Sequence, residues 1–309
     1  MNYEFQLNAI LKASGWSQEQ LARELNTSFP TLNSWVNKRS QPRQKALRRI
    51  ETLYLSIVGS DTIDEAALAS AKKTALSLSI NPKKLVENQT ALDKLTLYLT
   101  YHTNTIEGST MTLADVGEVI FDHKVLSNRT AAEQAEARNH QAALYWLLDK
   151  IIADGKKFVI DEAFILGLHL RLMNGIIGDA GQYRKHAVRI MGTHVVLANW
   201  QKVPELMRAF VDGLNGNSTN SIVTLAQSHA LFEKIHPFSD GNGRTGRLIL
   251  LAQSLHAGLV PPLVVKERKL AYYKYLEIAQ KSDESKPLEL FMVESMQFCY
   301  KLLGLLGEN

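Results

Sequence analysis

Twelve consecutive residues, His236 to Arg247, read HPFSDGNGRTGR and bring together an imidazole, a carboxylate, a Gly-Asn-Gly triplet and two guanidiniums. A triplet such as Gly241-Asn242-Gly243 opening a helix turns several backbone N–H groups toward one point, where the helix dipole adds partial positive charge. That is an anion site. Arg244 and Arg247 stand three apart, so on a helix both share a face near that end and can fork onto further phosphate oxygens. The set suits a polyphosphate better than a lone carboxylate. Asp240 offers a hard oxygen beside those phosphates, the usual way Mg²⁺ is held with few protein ligands. His236 is then the one group in the stretch able to take a proton near neutral pH, which fits attack of a hydroxyl on phosphorus. A single histidine at a helix end, or a single Gly-x-Gly, says little; the joint occurrence carries the reading. Walker, kinase and His-Glu-x-x-His patterns are absent.

Two helices must hold this stretch. Before it, Ile222, Leu225, Ala226, His229, Phe232 and Ile235 recur at steps of three and four, predicting an amphipathic helix that ends just ahead of His236. Pro237 and the glycines cannot continue it. After it, RTGRLILLAQSLHAG is apolar nearly all round and predicts a central core helix. His236 to Gly243 therefore reads as a loop between two buried helices. Helical periodicity dominates elsewhere, and the one β-like segment, AVRIMGTHVVLA at 187–198, reads as a hairpin.

The 309 residues suffice for a large core without covalent staples, and the single cysteine, Cys299, excludes an internal disulfide. The N-terminus shows no basic segment followed by an apolar run, and the most apolar stretch is interrupted by Gln253, Ser254, His256 and Pro261-Pro262, so the expectation is a soluble, cytoplasmic chain without a membrane span. The formal charge of +4 is uneven: residues 1–50 carry eight Lys or Arg against three acids, and the remainder is close to neutral. Basic charge at one end points to a polyanion partner there. In that segment Ser17 and Gln20 have capping-box spacing, Leu21, Ala22 and Leu25 form a stripe, and Asn26-Thr27-Ser28 turns into a second helix with Leu32 and Trp35 inward. This is a helix-turn-helix.

WSQEQLARELNTSFPTLNSWVNKRSQPR resembles the phage-repressor-like helix-turn-helix family, with Lys38 standing where that family more often has Gly. The resemblance puts Ser28, Phe29, Pro30 and Ser34 nearest the bases of DNA and Lys38, Arg39 and Arg43 near phosphates.

The dodecapeptide is similar at every fixed position to the Fic signature His-Pro-Phe-x-Asp-Gly-Asn-Gly-Arg-x-x-Arg, and the likeness runs over about residues 90–300, through GQYR at 181–184. It implies a mainly α protein: a helical Fic fold with a small β-hairpin flap, preceded by a small helical helix-turn-helix domain. The expected division is 1–58 for the DNA-binding domain, 59–89 for a helical linker that opens on a joint at 59–65, and 90–309 for the Fic domain. The implied reaction moves AMP from ATP to a Ser, Thr or Tyr hydroxyl of a protein, the chain itself included. On the family pattern His236 is the base, Asp240 binds Mg²⁺, Gly241, Asn242 and Gly243 cradle phosphates, and Arg244 and Arg247 hold the outer ones. Tyr273 and Gln280 approach the nucleoside, although Tyr272, Tyr273 and Tyr275 can equally be core residues. Ile190, Met191, Gly192, Thr193 and His194 match the flap that docks a target by strand addition. Where many relatives carry a Pro pair after the flap, this chain has Leu197-Ala198-Asn199-Trp200.

HTNTIEGS at 102–109 is similar to the family's inhibitory pattern, with Thr103, Glu107 and Gly108 on a helix around 95–108. The resemblance implies that Glu107 takes Arg247 away from the γ-phosphate. Two alternatives stay open: removal of AMP by the same site, and a DNA-binding regulator that uses nucleotide as a ligand. A homodimer also stays open, no residue deciding it.

Overall fold

The computed structural model describes residues 3–58, 63–190, 193, 195–216, 221–282 and 284–304. Among them every regular element is a helix, with no β-strand and one isolated bridge between Ser79 and Leu259. Four helices come first: α1 (Tyr3–Ser14), α2 (Gln18–Glu24), α3 (Phe29–Val36) and α4 (Gln44–Ile57). Ser17 caps α2 by accepting the Gln20 N–H at 3.2 Å, and Ser28 caps α3 by accepting from Thr31 at 3.3 Å, so both starts are set by a hydroxyl. Leu7, Ile10, Leu21, Leu32, Ile50 and Tyr54 are completely buried between these helices.

Lys38 has φ of +60°, which explains the family's preference for Gly there. Of the expected DNA-facing residues, Ser28, Phe29, Pro30, Lys38, Arg39 and Arg43 are exposed and Ser34 is half-buried. Three side chains already have partners: Ser28 in its cap, Ser34 with Ser40 at 2.8 Å, and Lys38 with Glu4 at 2.6 Å.

Next come α5 (Glu65–Ser77), α6 (Pro82–Glu87), α7 (Gln89–Glu107), α8 (Leu113–Ile120), α9 (Ala131–Asp154), α10 (Glu162–Met173) and α11 (Val203–Gly216). The chain ends with α12 (Ile222–Ile235), α13 (Asn242–His256), α14 (Lys269–Ser282) and α15 (Lys286–Leu303). Capping boxes start α8 at Thr112/Asp115 and α9 at Thr130/Glu133. As its composition predicts, α13 is central: it packs on α7, α9, α10 and α12, and Leu248 to Ala252 are all buried. No helix among the described residues is long and apolar enough to cross a membrane.

The first four helices do not close their core by themselves. Their apolar cluster continues into Tyr272 and Tyr275 of α14 and Phe291 of α15. Arg268 then grips Glu51 of α4 through two contacts, at 2.6 and 3.2 Å, while also pairing with Glu294 at 2.9 Å. A bidentate grip of this kind fixes orientation as well as distance.

Two expectations are corrected. The helix after the signature begins at Asn242, so Asn242 and Gly243 belong to its first turn, with Gly241 as the left-handed cap at φ +76°. The expected hairpin forms no ladder among its described residues. The carbonyls of His186 and Ala198 accept from the Arg184 guanidinium and the Ala198 N–H donates to Lys234, leaving those groups unavailable for cross-strand pairing. Met191, Gly192 and His194 lie outside the described residues, as does 59–62 of the expected joint.

Candidate active site

His236 sits one residue past α12 with φ of +52°, a conformation that costs an ordinary residue about 1–3 kcal/mol. Its surroundings impose it. The His236 N–H donates to Phe232 at 2.9 Å, and buried Arg184 donates from Nε to the His236 carbonyl at 2.7 Å and from its own backbone to Pro237 at 2.9 Å. With imidazole Nδ1 donating to the Glu233 carbonyl at 3.2 Å, Nε2 is left as the acceptor. Burial pushes the imidazole down to about 4, only partly opposed by that hydrogen bond, so it is neutral and ready to accept a proton at physiological pH.

The loop beyond it is bracketed by side chains. Asn242 accepts from the Phe238 N–H and donates to the Phe238 carbonyl, both at 2.8 Å. His169 of α10 stacks on Phe238 at 3.6 Å, accepts the Gly181 N–H at Nδ1 and donates from Nε2 to the Asp240 carbonyl at 3.0 Å. A Cβ on Gly241 would meet Met173 at 2.6 Å. The Asp240 carboxylate, largely exposed, accepts the Gly241 N–H at 2.6 Å and keeps open oxygen positions. No cluster of three or more metal-ligating side chains occurs among the described residues, so the donor set fits a cation shared with phosphates, with Asp240 as its protein ligand, and not an all-protein cage.

A cavity of about 760 Å³ opens here. Its wall includes His236, Asp240 and Gly241 to Gly243 on one side, Ile190 and Thr193 on another, and Tyr273 and Gln280 of α14 on a third. Tyr272 and Tyr275, by contrast, are core residues, Tyr272 hydrogen-bonding His229 at 2.8 Å.

The two arginines part company. Arg244, buried, donates to Glu136 of α9 at 2.8 Å and lies 3.5 Å from Asp240. Arg247 reaches the other way, to α7: Nε donates to the Thr103 hydroxyl at 2.6 Å and Nη2 to Glu107 at 2.5 Å. Burial alone would raise the Glu107 carboxyl, but the charge and hydrogen bond of Arg247, with smaller help from Arg244 and Lys269, hold it below the usual carboxylate range. Gly108, at φ +117°, ends α7 immediately after. A Cβ on Gly243 would collide with the Glu107 carboxylate, so glycine there makes room for it.

Sequence reasoning thus brought His236, Asp240, the glycines, Tyr273, Gln280 and the Thr103–Glu107–Arg247 set to one place. It missed Arg184, Glu233, Glu136 and His169. Arg184 stood inside the quoted GQYR; the other three carried no signal in one sequence.

A helical core that carries His236, Asp240 and a glycine-opened helix into one cavity has solved counterparts of Fic fold. A Fic-1 fragment from C. elegans superposes with a TM-score of 0.64 at 21% identity, covering 93% of this chain and 84% of that one. A Fic family protein from Desulfovibrio desulfuricans G20 gives 0.62 at 25% identity, covering 78% and 74%. Residues 159–254 match the Fic/DOC family and residues 7–54 match a helix-turn-helix family, so the chain carries a Fic domain behind a helix-turn-helix domain. Among curated relatives, the protein adenylyltransferase Fic of Drosophila willistoni is 30% identical over 228 residues, 72% of this chain and 44% of that protein. That of Nematostella vectensis is 30% identical over 266 residues, 85% and 59%. The chain therefore spans about half the length of the curated relatives it matches.

Proposed function

We propose that this chain is a protein adenylyltransferase restrained by its own Glu107, moving AMP from ATP to a Ser, Thr or Tyr hydroxyl, with a DNA-binding domain at 1–58, a helical linker at 59–89 and the catalytic domain at 90–309. The observation that carries the reading is the neutral imidazole of His236, its Nε2 without a hydrogen-bond partner among the described residues, on the wall of the same cavity as the glycine-opened helix. His236 takes the proton of the target hydroxyl. The oxygen then bonds to the α-phosphorus, and the bond to the bridging oxygen breaks as pyrophosphate leaves. Backbone N–H groups at Gly241 to Gly243 hold phosphate oxygens, that of Gly241 once the Asp240 carboxylate releases it. Asp240 would hold Mg²⁺, whose chemistry there is neutralising phosphate charge. Arg247 takes the outer phosphate once Glu107 yields it, with Arg244, anchored on Glu136, adding charge from behind. Tyr273 and Gln280 face the nucleoside, and the segment around Ile190 and Thr193 aligns the target.

The basic first domain suits DNA, and the single buried Cys299 suits a reducing, cytoplasmic setting. Incubation with isotopically labelled ATP and a cell lysate, followed by mass spectrometry, should reveal AMP-modified hydroxyl residues that are lost with His236→Ala. Label transfer that survives His236→Ala would sink the assignment. Release of AMP from modified protein, without its addition, would favour the reverse reaction.

A further inference from the structure

Glu233 lies one turn before His236 on α12 and faces the same cavity. Only 4% of it is exposed, yet it is a carboxyl group, and its Oε1 has no hydrogen-bond partner among the described residues. Its Oε2 stands 3.8 Å from His236 Nδ1, alongside the backbone carbonyl that already receives that nitrogen's proton. A Cβ on Gly246 would come within 2.5 Å of Oε1, so α13 carries glycine where the carboxyl group needs space. A buried carboxyl costs stability unless it is hydrogen-bonded or paired.

Resting on the transfer reading above, we propose that Glu233 is a positioning residue for the base: ionised, it faces the Nδ1 side of the His236 ring and, by its charge, favours the imidazolium formed when Nε2 takes the target's proton. In that step the O–H bond of the target breaks to Nε2, the O–P bond forms, and pyrophosphate departs with the electron pair. Glu233 gains and loses no proton in it. An ionised partner next to a histidine that becomes positive strengthens it as a base.

The groups around Glu233 set when it ionises. Burial pushes its carboxyl up to about 8; Arg247 on α13 pulls it down, and Glu107 on α7 pushes it up. Tyr272 and Tyr273 of α14 face it with neutral hydroxyls, and His229, one turn earlier on α12, is neutral through burial. On His236 itself Arg184 acts to lower the imidazole, and Glu107 and Asp240 act to raise it. The Glu107 brake and the Glu233 support are therefore coupled: removing Glu107 removes a charge that keeps Glu233 protonated.

The test is made in the full chain carrying Glu107→Gly. Glu233→Gln, which keeps shape, should lower kcat for AMP transfer by about ten-fold while leaving the Kd for ATP within about two-fold. The kcat of the Glu107→Gly chain should rise with pH between about pH 6 and pH 9, and that rise should vanish with Glu233→Gln. Glu233→Leu, similar in volume and apolar, serves as a second variant and should match Glu233→Gln in kcat, with thermal unfolding confirming that each is folded. Equal kcat and an unchanged pH profile for Glu233→Gln overturn the proposal, as does loss of ATP affinity in step with kcat. A flat profile in the Glu107→Gly chain overturns it without any Glu233 variant. Should the Glu107→Gly chain transfer no AMP at all, the transfer reading itself fails, a result distinct from the others.

Discussion

Replacing Glu107 by Gly removes the carboxylate that covers Arg247 and adds no catalytic group. The pair is short, 2.5 Å between Nη2 and Oε1, with the arginine side chain 9% and the glutamate 31% exposed. A charged hydrogen bond is worth about 1.5–3 kcal/mol, and a third of Glu107 in water argues for the lower end, about 1.5–2 kcal/mol. Since each 1.4 kcal/mol is tenfold, binding of ATP in the pose that uses Arg247 should improve by about 10- to 30-fold. Thr103 still holds Arg247 by its hydroxyl, so the guanidinium stays aimed at the loop. The assay is transfer of labelled AMP to target or to the chain itself, with the ATP Kd by calorimetry. Arg247→Ala should not reproduce the gain, because it frees α7 but deletes the phosphate anchor, and the double variant should behave as Arg247→Ala alone. Unchanged or lower transfer by Glu107→Gly would refute the competition argument and point to a glutamate that orients water for AMP removal.

Other expectations are briefer. His236→Ala should abolish transfer and leave the ATP Kd within a few-fold, whereas collapse of ATP affinity would make His236 a binding residue. Burial pushes His102, His140, His169, His229 and His236 down to between about 3 and 4, so the unfolded chain binds protons first as pH falls below its ordinary histidine range. Glu233, raised, works oppositely but alone. Stability should therefore drop by roughly 1 kcal/mol per pH unit for each histidine between about pH 6.5 and pH 5, and a flat unfolding midpoint there would contradict their burial. Lys38→Gly should raise that midpoint by about one or two degrees, relief of the left-handed backbone outweighing an exposed ion pair with Glu4, and a fall would show that the pair dominates. Duplex DNA binding by the whole chain should weaken steeply with salt and lose slope with Arg39→Ala and Arg43→Ala; a slope unchanged by both would leave the first domain an adaptor.

How far the sequence was legible depended on whether a contact leaves a local trace. The helices around the signature were readable because apolar spacing is local, and α13 was readable as central because its surroundings on every side dictate Leu, Ile and Ala. The helix-turn-helix was readable down to the misfit of Lys38, whose positive φ is the physical content of the family's glycine. Long-range partners left no trace. Glu136 takes Arg244 from 108 positions away, and nothing in its own helix marks it as other than a solvent-facing acid. Three-residue spacing put both arginines on one face, but it could not say that neighbours on α7 and α9 would divide them.

That division changes the meaning of the signature. Arg244, held by Glu136 and near Asp240, is a fixed charge behind the loop, while Arg247, steadied by Thr103, is paired with Glu107, which on the proposed function competes with phosphate for it. Gly243 leaves open the space where the Glu107 carboxylate sits. On the proposed function, a side chain at 243 would therefore disturb the brake and the phosphate cradle together. Glu107, which only the restrained state uses, is the position where restraint can be removed while the loop that handles phosphate keeps its shape.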